Sequence, residues 1–159
     1  MNKEHNYQVN ICWTGNKGAG TADYGGYSRD HIVSIPGKPD LPGSSDTAFR
    51  GDKTRHNPED MLLSALATCH MLWYLHLCAD AGVIVTAYED HATGVMVESP
   101  KGGGKFEEAT LRPKVTVTDA TMVNKAEELH NKANECCFIA NSVNFPVRHQ
   151  PTVVIQKGA

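Results

Sequence analysis

Cysteine is the residue of this chain best suited to redox chemistry, and it occurs at positions 12, 69, 78, 136 and 137. An odd number without regular spacing, in a chain large enough not to need covalent staples, does not predict structural disulfides. Cys69 lies near the middle of a long apolar segment that is predicted to be helical. A thiol in that place is either an inert core residue or the centre of a pocket, and the helix alone favours the inert interpretation.

Redox chemistry between two cysteines requires their Cα atoms to lie within about 7 Å. Cys78 follows Cys69 by nine positions, about half a turn out of phase and roughly 13 Å along the helix axis. It therefore cannot pair with Cys69 within the helix, and we predict that it belongs to the core. Cys136 and Cys137 follow a second predicted helix, and docking of the two helices could bring either of them to Cys69.

A reactive Cys69 would also need a positively charged neighbour that lowers its pKa. The dipole of its own helix cannot do this, because that influence fades within the first turn. Arg29, Arg50 and Arg55 are the candidates from other segments. The Glu59 carboxylate could hold one of these guanidinium groups by paired hydrogen bonds. The alternative is that all of these charges are solvated surface groups.

We predict no metal site and no cofactor. Cys69 and His70 point about 100° apart on a helix, and Cys136 and Cys137 are adjacent, which suits one tetrahedral ion poorly. The sequence has no C-x-x-C pair and no H-x-x-x-H pair, and the segment GNKGAG lacks the Lys-Ser/Thr of a phosphate-binding loop. Four histidines have no motif around them, and we predict that they form ordinary hydrogen bonds: His31, His76, His91 and His130.

The helix that carries Cys69 has clear start and stop signals. Asn57 can cap it, Pro58 suits the first helical position, and two acidic residues follow in the first turn. Gly82 supplies a left-handed end. Apolar residues cover nearly the whole circumference of this segment, which is typical of a helix enclosed by other structure.

Strands are predicted on both sides of this helix. Residues 7–14 and pieces of 21–35 form an N-terminal hairpin or three-strand meander, and residues 36–56 make a long irregular connection. Residues 83–99 read as one long strand or two short ones, which pair with residues 106–118 in antiparallel fashion. Pro113 restricts its part of that return to an edge or a bulge.

A second helix is predicted over residues 122–135, with Asp119 or Thr121 as its cap. The segment PTVVIQ then closes the chain as a strand. Few helices among meandering strands indicate the α+β class.

Length and composition fit one domain over residues 1–159, with 40% hydrophobic and 21% charged residues. The formal charge is −3, the pI is about 6.2, and no basic run stands out, so nucleic acid is not expected as a partner. The N-terminus has no apolar core of signal-peptide type. Charged residues and histidines in the apolar helix argue against a membrane span, and the cytoplasm is the expected location.

Several of these features recur together in one known family. Asn57-Pro58-Glu59 opens a helix with Cys69 ten residues after the glutamate, and Cys137 stands in CFIANS after a second helix. With the early Trp13-x-Gly15 and Gly18-x-Gly20 hairpin, this pattern resembles the OsmC/Ohr family of osmotically inducible and organic hydroperoxide resistance proteins. The similarity covers most of the chain, and YSRDH and CHMLWYLHLCADAG look closest to its OsmC-like branch.

The resemblance implies a fold and a set of site residues. The fold is α+β, with antiparallel sheets wrapped around central helices in an intertwined homodimer and two active sites at the subunit interface. Cys69 is then similar to the peroxidatic cysteine and Cys137 to the resolving one, and Glu59 positions an arginine. The family places that arginine in the first hairpin or in the loop before the helix. Here the hairpin has Lys17, so Arg50 is favoured in the loop, with Arg29 as the alternative.

The activity that this resemblance implies is reduction of organic hydroperoxides through a Cys69 sulfenic acid and a Cys69–Cys137 disulfide. A dithiol, such as a lipoylated protein, would restore both thiols. An apolar wall would favour organic peroxides, and it is predicted from four side chains: Leu66, Leu72, Trp73 and Phe138. The alternative is a stress-related OsmC-like binding protein whose pocket thiol has little peroxidase turnover.

Overall fold

A computed structural model describes residues 3–157 of the chain. The helices and strands are, in order, β1 (Asn10–Trp13), β2 (His31–Ser34), β3 (Leu41–Gly43), α1 (Pro58–Asp80), β4 (Val85–Asp90), β5 (Thr93–Glu98), β6 (Gly104–Leu111), β7 (Pro113–Val117), α2 (Val123–Cys136), β8 (Val147–His149) and β9 (Thr152–Ile155). The predicted α+β class is confirmed. The chain divides after Leu62 into two compact units, which are described separately. A single domain over residues 1–159 stays a prediction.

The first unit is built on a three-stranded antiparallel sheet in the order β1-β2-β3. Cys12 of β1 lies opposite Ile32 of β2, which confirms the predicted N-terminal hairpin. At the base of the hairpin the Ser28 N–H donates to the Gly15 carbonyl (2.9 Å). A side chain at Gly15 would collide with the Ser28 carbonyl, so the close approach of the two backbones requires glycine.

The prediction that residues 36–56 are irregular is wrong in part. β3 pairs with β2, with Gly43 opposite His31. Pro42 is tolerated there because β3 is an edge strand of this sheet. A 3₁₀ turn follows at Thr47–Phe49, where the Asp46 carboxylate accepts a hydrogen bond from the Ala48 N–H (2.7 Å).

Both predicted ends of α1 are confirmed. The Asn57 side-chain oxygen accepts a hydrogen bond from the Asp60 N–H at 2.7 Å, as an N-cap does. At the other end Gly82 adopts a φ of 71°, and the Val83 N–H donates to the Cys78 carbonyl (2.8 Å). Local signals therefore fix the length of the helix.

The prediction that α1 is enclosed on all sides is wrong for the single chain. Its buried residues form one stripe at every fourth position: Leu66, His70, Tyr74 and Cys78. Leu72, on another face, is 62% exposed. By length and composition alone α1 could cross a membrane, and the central helix of a soluble protein passes the same test.

The second unit contains two three-stranded sheets, in the orders β4-β7-β9 and β5-β6-β8. The antiparallel pairs β4–β7 and β5–β6 confirm the pairing predicted for this region. β8 and β9 add in parallel to β6 and β7, which the sequence did not predict. Pro113 is the buried first residue of the central strand β7, so its prediction at an edge or bulge is wrong. A first position is one of the places where a strand accepts proline.

The predicted second helix is confirmed as α2, and a 3₁₀ turn at Ala120–Met122 leads into it. The Asp119 carboxylate caps that turn by accepting from the Thr121 N–H (2.7 Å). The buried residues of α2 recur at helical spacing, as expected for a helix that packs through one face: Ala126, Leu129, His130 and Ala133.

Tyr74 joins α1 to α2 inside the core of the second unit. Its hydroxyl donates to the Ala126 carbonyl at 3.1 Å, and its ring stacks on His130 with 3.8 Å between centroids. Cys78 belongs to the same core and is 1% exposed, which confirms its predicted place. The seam between α1 and α2 thus combines apolar packing with directed polar contacts.

A pair of histidines crosses the same seam. His70 and His130 are 0% and 1% exposed, and the His70 Nε2 lies 3.0 Å from the His130 Nδ1. The outer nitrogens, His70 Nδ1 and His130 Nε2, have no hydrogen-bond partner in the described part of the chain. Burial and the neighbouring imidazoles lower the pKa of His70 to about 4 and that of His130 to about 3. His149 lies beside them, with its ring 5.6 Å from that of His70.

This pair makes the fold sensitive to acid. The unfolded chain binds protons at the ordinary histidine pKa of 6.5, above the folded values. The stability that the folded chain gains from keeping these histidines neutral is therefore fully present above about pH 6.5. It is lost as the pH falls toward 4, and the free energy of unfolding drops by up to about 1.4 kcal/mol per pH unit for each histidine. Urea unfolding between about pH 7 and pH 4 measures the slope.

The matched variants isolate the pair from other titrating groups. The double substitution His70→Leu with His130→Leu should flatten the pH dependence of the unfolding free energy. His5→Gln, which changes an exposed histidine, should leave it as in the wild type. An unchanged slope in the double variant contradicts the assignment.

Candidate active site

Two cysteines meet where α1 and α2 dock. Cys69, at the middle of α1, is partly exposed, and its thiol lies beside that of Cys137. Cys137 directly follows α2 and is 1% exposed. Cys136 is the last residue of α2 and is partly exposed. Of the two cysteines left open by the sequence, Cys137 is the one that contacts Cys69.

The surroundings of Cys137 keep its thiol neutral. Burial, together with the adjacent thiol of Cys69, raises the pKa of Cys137 to about 11. The backbone N–H of Ala140 donates to its sulfur (3.4 Å) and opposes this rise. At neutral pH Cys137 is therefore a thiol, which can donate its S–H to Cys69.

Cys69 also faces an open pocket of about 310 Å³. Leu72 and His76 line it from α1, and Trp73 lines it together with Phe138, their rings 5.6 Å apart. The lining is almost entirely apolar apart from the sulfur and the His76 ring. A molecule with a hydrocarbon body therefore fits against Cys69 better than a strongly hydrated one.

The predicted pocket wall needs one correction and one addition. Leu72, Trp73 and Phe138 line the pocket as predicted, but Leu66 does not, because it is buried in the core at 1% exposure. His76 was not predicted to be there. Its spacing could have revealed it, since residues 69, 72, 73 and 76 recur on one helical face.

The predicted arginines lie in the first unit, where they are held differently. Arg29 donates to the carbonyls of Tyr27 and Tyr24, both at 2.7 Å, and lies over both tyrosine rings at 4.2 and 4.3 Å. The Arg50 guanidinium lies 5.2 Å from the Tyr24 ring centre, and within residues 3–157 no ion pair of this group is found. Both arginines line a pocket of about 380 Å³ with Lys17. The Arg29 guanidinium is thus held by several local contacts, whereas fewer contacts hold that of Arg50.

Glu59 stands in the first turn of α1, in the first unit. Its Oε2 is buried and has no hydrogen-bond partner among the residues that the structure describes. A buried carboxylate oxygen without a donor is costly, so this group has capacity for a cationic partner. The pairing of Glu59 with Arg50 or Arg29, and the action of either arginine on Cys69, stay predictions. Arg55, the remaining candidate, lies 3.8 Å from Asp30.

Comparison with known proteins identifies the family. The profile of the OsmC-like proteins matches residues 51–151, which is more than half of the chain. The chain belongs to the OsmC-like protein family. Among solved structures, an OsmC-like protein of unknown function from Vibrio cholerae superposes with a TM-score of 0.84 at 27% identity, covering 94% of this chain and 100% of that one.

This OsmC-like protein is also similar to two further proteins, one found by sequence and one by structure. The uncharacterized protein YmaD of Bacillus subtilis is 26% identical over 98% of this chain and 97% of its own length. An organic hydroperoxide resistance protein OsmC from Legionella pneumophila superposes with a TM-score of 0.66 at 19% identity, covering 94% of this chain and 98% of that one. That last likeness shows a shared fold. Family membership is consistent with a role in redox chemistry or peroxide resistance.

Proposed function

We propose that this protein is a cysteine-based peroxidase that reduces organic hydroperoxides. The observation that carries the proposal is the contact between the partly exposed Cys69, which faces an apolar pocket, and the buried Cys137, which stays protonated. Such a pair has one sulfur available to a substrate and a second in position to react with the product. Membership of the OsmC-like family supports the same chemistry.

The first step is attack of the Cys69 thiolate on the distal oxygen of the hydroperoxide. The O–O bond breaks, the alkoxide takes up a proton and leaves as an alcohol, and Cys69 becomes a sulfenic acid. Cys137 lies beside this sulfur as a neutral thiol. The hydrocarbon part of the substrate lies against Leu72, Trp73 and Phe138, so an alkyl hydroperoxide is preferred to hydrogen peroxide.

The second step joins the two sulfurs. Cys137 attacks the sulfenic sulfur of Cys69, its proton leaves with the hydroxyl group as water, and a disulfide forms. A dithiol then reduces the disulfide through a mixed disulfide, and a lipoylated protein is the reductant that we propose.

We further propose that the active assembly is a homodimer. α1 is apolar around most of its circumference, yet the single chain buries one stripe of it. Exposed apolar side chains also follow one another along β5: Val95, Met96 and Val97. A second copy of the chain would remove such surface from water.

The peroxide-dependent mass of the intact protein tests the chemistry. One equivalent of cumene hydroperoxide should remove two hydrogens from the wild type, and peptide mapping should place the new bond between Cys69 and Cys137. Cys69→Ser should abolish turnover, because no thiolate remains to attack the peroxide. Cys137→Ser should stop at a sulfenic acid, which dimedone traps.

Cys78→Ser is the matched control, since Cys78 is a core thiol; it should retain the mass shift and the turnover. Full activity in Cys69→Ser would end the assignment. A native protein that binds a hydroperoxide without any change of mass would instead support the stress-related binding protein as its function.

Substitution also tests the proposed effect of Arg50 on the reactivity of Cys69. Arg50→Ala should slow alkylation of Cys69 by iodoacetamide at neutral pH by at least about tenfold, since a thiolate loses a neighbouring cation. Arg50→Lys should restore part of the rate, and Arg112→Ala, which removes a donor to Thr93, should have no effect. If Arg29→Ala lowers the rate and Arg50→Ala does not, Arg29 takes the role.

The mass of the native protein in solution tests the dimer. Light scattering after size exclusion should give twice the chain mass of 17.3 kDa. A mass of one chain at the concentrations used for the peroxidase assay would contradict the homodimer and leave the chemistry of the two thiols to be judged by the peroxide experiment.

A further inference from the structure

The two sulfurs of the proposed disulfide differ in how an external thiol can reach them. A thiolate attacks one sulfur of a disulfide while the other departs as a thiolate. The attacking group must therefore approach the chosen sulfur from the side away from its partner. Cys69 lines the open pocket of about 310 Å³, whereas Cys137 is 1% exposed.

The backbone after α2 closes the approach to Cys137. The N–H of Ala140 points at its sulfur at 3.4 Å. The hydrogen bonds that fix the turn around this group include one from the Asn141 N–H to the Cys137 carbonyl (3.0 Å) and one from the Ser142 hydroxyl to the Phe138 carbonyl (2.7 Å). Because Cys137 is 1% exposed, a thiol would have to displace part of the packing around it to reach its sulfur.

We propose that an external thiol reduces the disulfide by attacking the Sγ of Cys69 from the apolar pocket, so that Cys69 carries the mixed disulfide and Cys137 departs. This inference rests on the proposed function, because it requires the Cys69–Cys137 bond. The attacking thiolate forms a new S–S bond to Cys69 with its own electron pair, and the old bond breaks with its pair on Cys137. With a dithiol, a second thiolate then attacks the reductant's own sulfur and releases the Cys69 thiolate.

The turn that hinders the approach of a thiol to Cys137 also assists the departure of Cys137 from the disulfide. A leaving thiol of high pKa departs slowly, and burial raises the pKa of Cys137 to about 11. The N–H of Ala140 is already hydrogen-bonded to its sulfur and stabilises the departing anion. Access decides the outcome, because a blocked sulfur offers no geometry for attack.

One consequence concerns the order of the two substrates. The hydroperoxide and the reducing thiol reach the same sulfur through the same pocket. They must therefore enter in turn, and the alcohol product must leave before the thiol binds. A reducing thiol on a slender, apolar arm fits the lining formed by Leu72, Trp73 and Phe138 better than a bulky, charged one.

Trapping the mixed disulfide tests the proposal directly. The full-length protein is oxidised with one equivalent of cumene hydroperoxide, or with diamide as an independent route, and is then mixed with 2-mercaptoethanol and quenched with N-ethylmaleimide. Peptide fragmentation should find mercaptoethanol on Cys69 and maleimide on Cys137, at least about tenfold more often than the reverse. The reverse pattern, or equal amounts of both, would overturn the proposal.

The two oxidants separate this inference from the proposed function. A disulfide that forms with diamide but not with the hydroperoxide would count against the peroxidase alone, and the trapping result would still decide which sulfur is attacked. Absence of the disulfide after both reagents would overturn the inference too, since it requires that bond.

A charge placed in the pocket gives a second test that does not depend on trapping. Leu72→Lys should raise the rate of reduction by the anionic mercaptoethanesulfonate, relative to neutral mercaptoethanol, by about threefold or more at low ionic strength. Ile84→Lys changes another exposed apolar residue, outside the pocket lining, and should leave that ratio as in the wild type. An unchanged ratio in Leu72→Lys would show that the thiol does not enter through the pocket and would overturn the proposal.

Discussion

The contact between the thiols of Cys69 and Cys137 depends on one fixed register of α2 against α1. Apolar packing alone tolerates small displacements, whereas a hydrogen bond weakens steeply as its geometry changes. The seam contains two directed contacts of this kind, from the Tyr74 hydroxyl to the Ala126 carbonyl and between the buried histidines. These contacts restrict sliding of the two helices, so the sulfur that follows α2 meets the sulfur at the middle of α1.

Burial then gives the two thiols different properties. Burial raises the pKa of Cys137 to about 11 and so disfavours its ionised form. Cys69 stands at the edge of the same contact and faces the pocket. The difference in burial of the two sulfurs therefore distinguishes their roles. The partly exposed thiol can contact a substrate, and the buried thiol stays next to it for the second step. No charged group within the second unit is needed for this distinction.

Local signals in the sequence predicted most of the fold, and contacts between distant segments account for what they missed. The cap at Asn57 and the glycine at Gly82 act within a few residues, so both ends of α1 could be predicted. The parallel addition of β8 and β9 depends on where the chain returns after α2, which no short segment encodes. β3 was missed because Pro42 and Gly43 read as loop residues, and its pairing with β2 outweighs that preference.

Predicting which residues line the site required separating two neighbouring faces of α1, one toward the pocket and one toward the core. Helical periodicity alone separated them incompletely. The pocket face and the core face are both apolar, so apolarity alone assigned Leu66 to the wrong one. The buried His70 marks the core face, because a histidine can be buried there only with a partner across the seam. The choice of Cys137 over Cys136 follows from the end of α2. Cys137 leaves the helix with an extended backbone (φ −67°, ψ 109°), and it is this residue whose sulfur reaches Cys69.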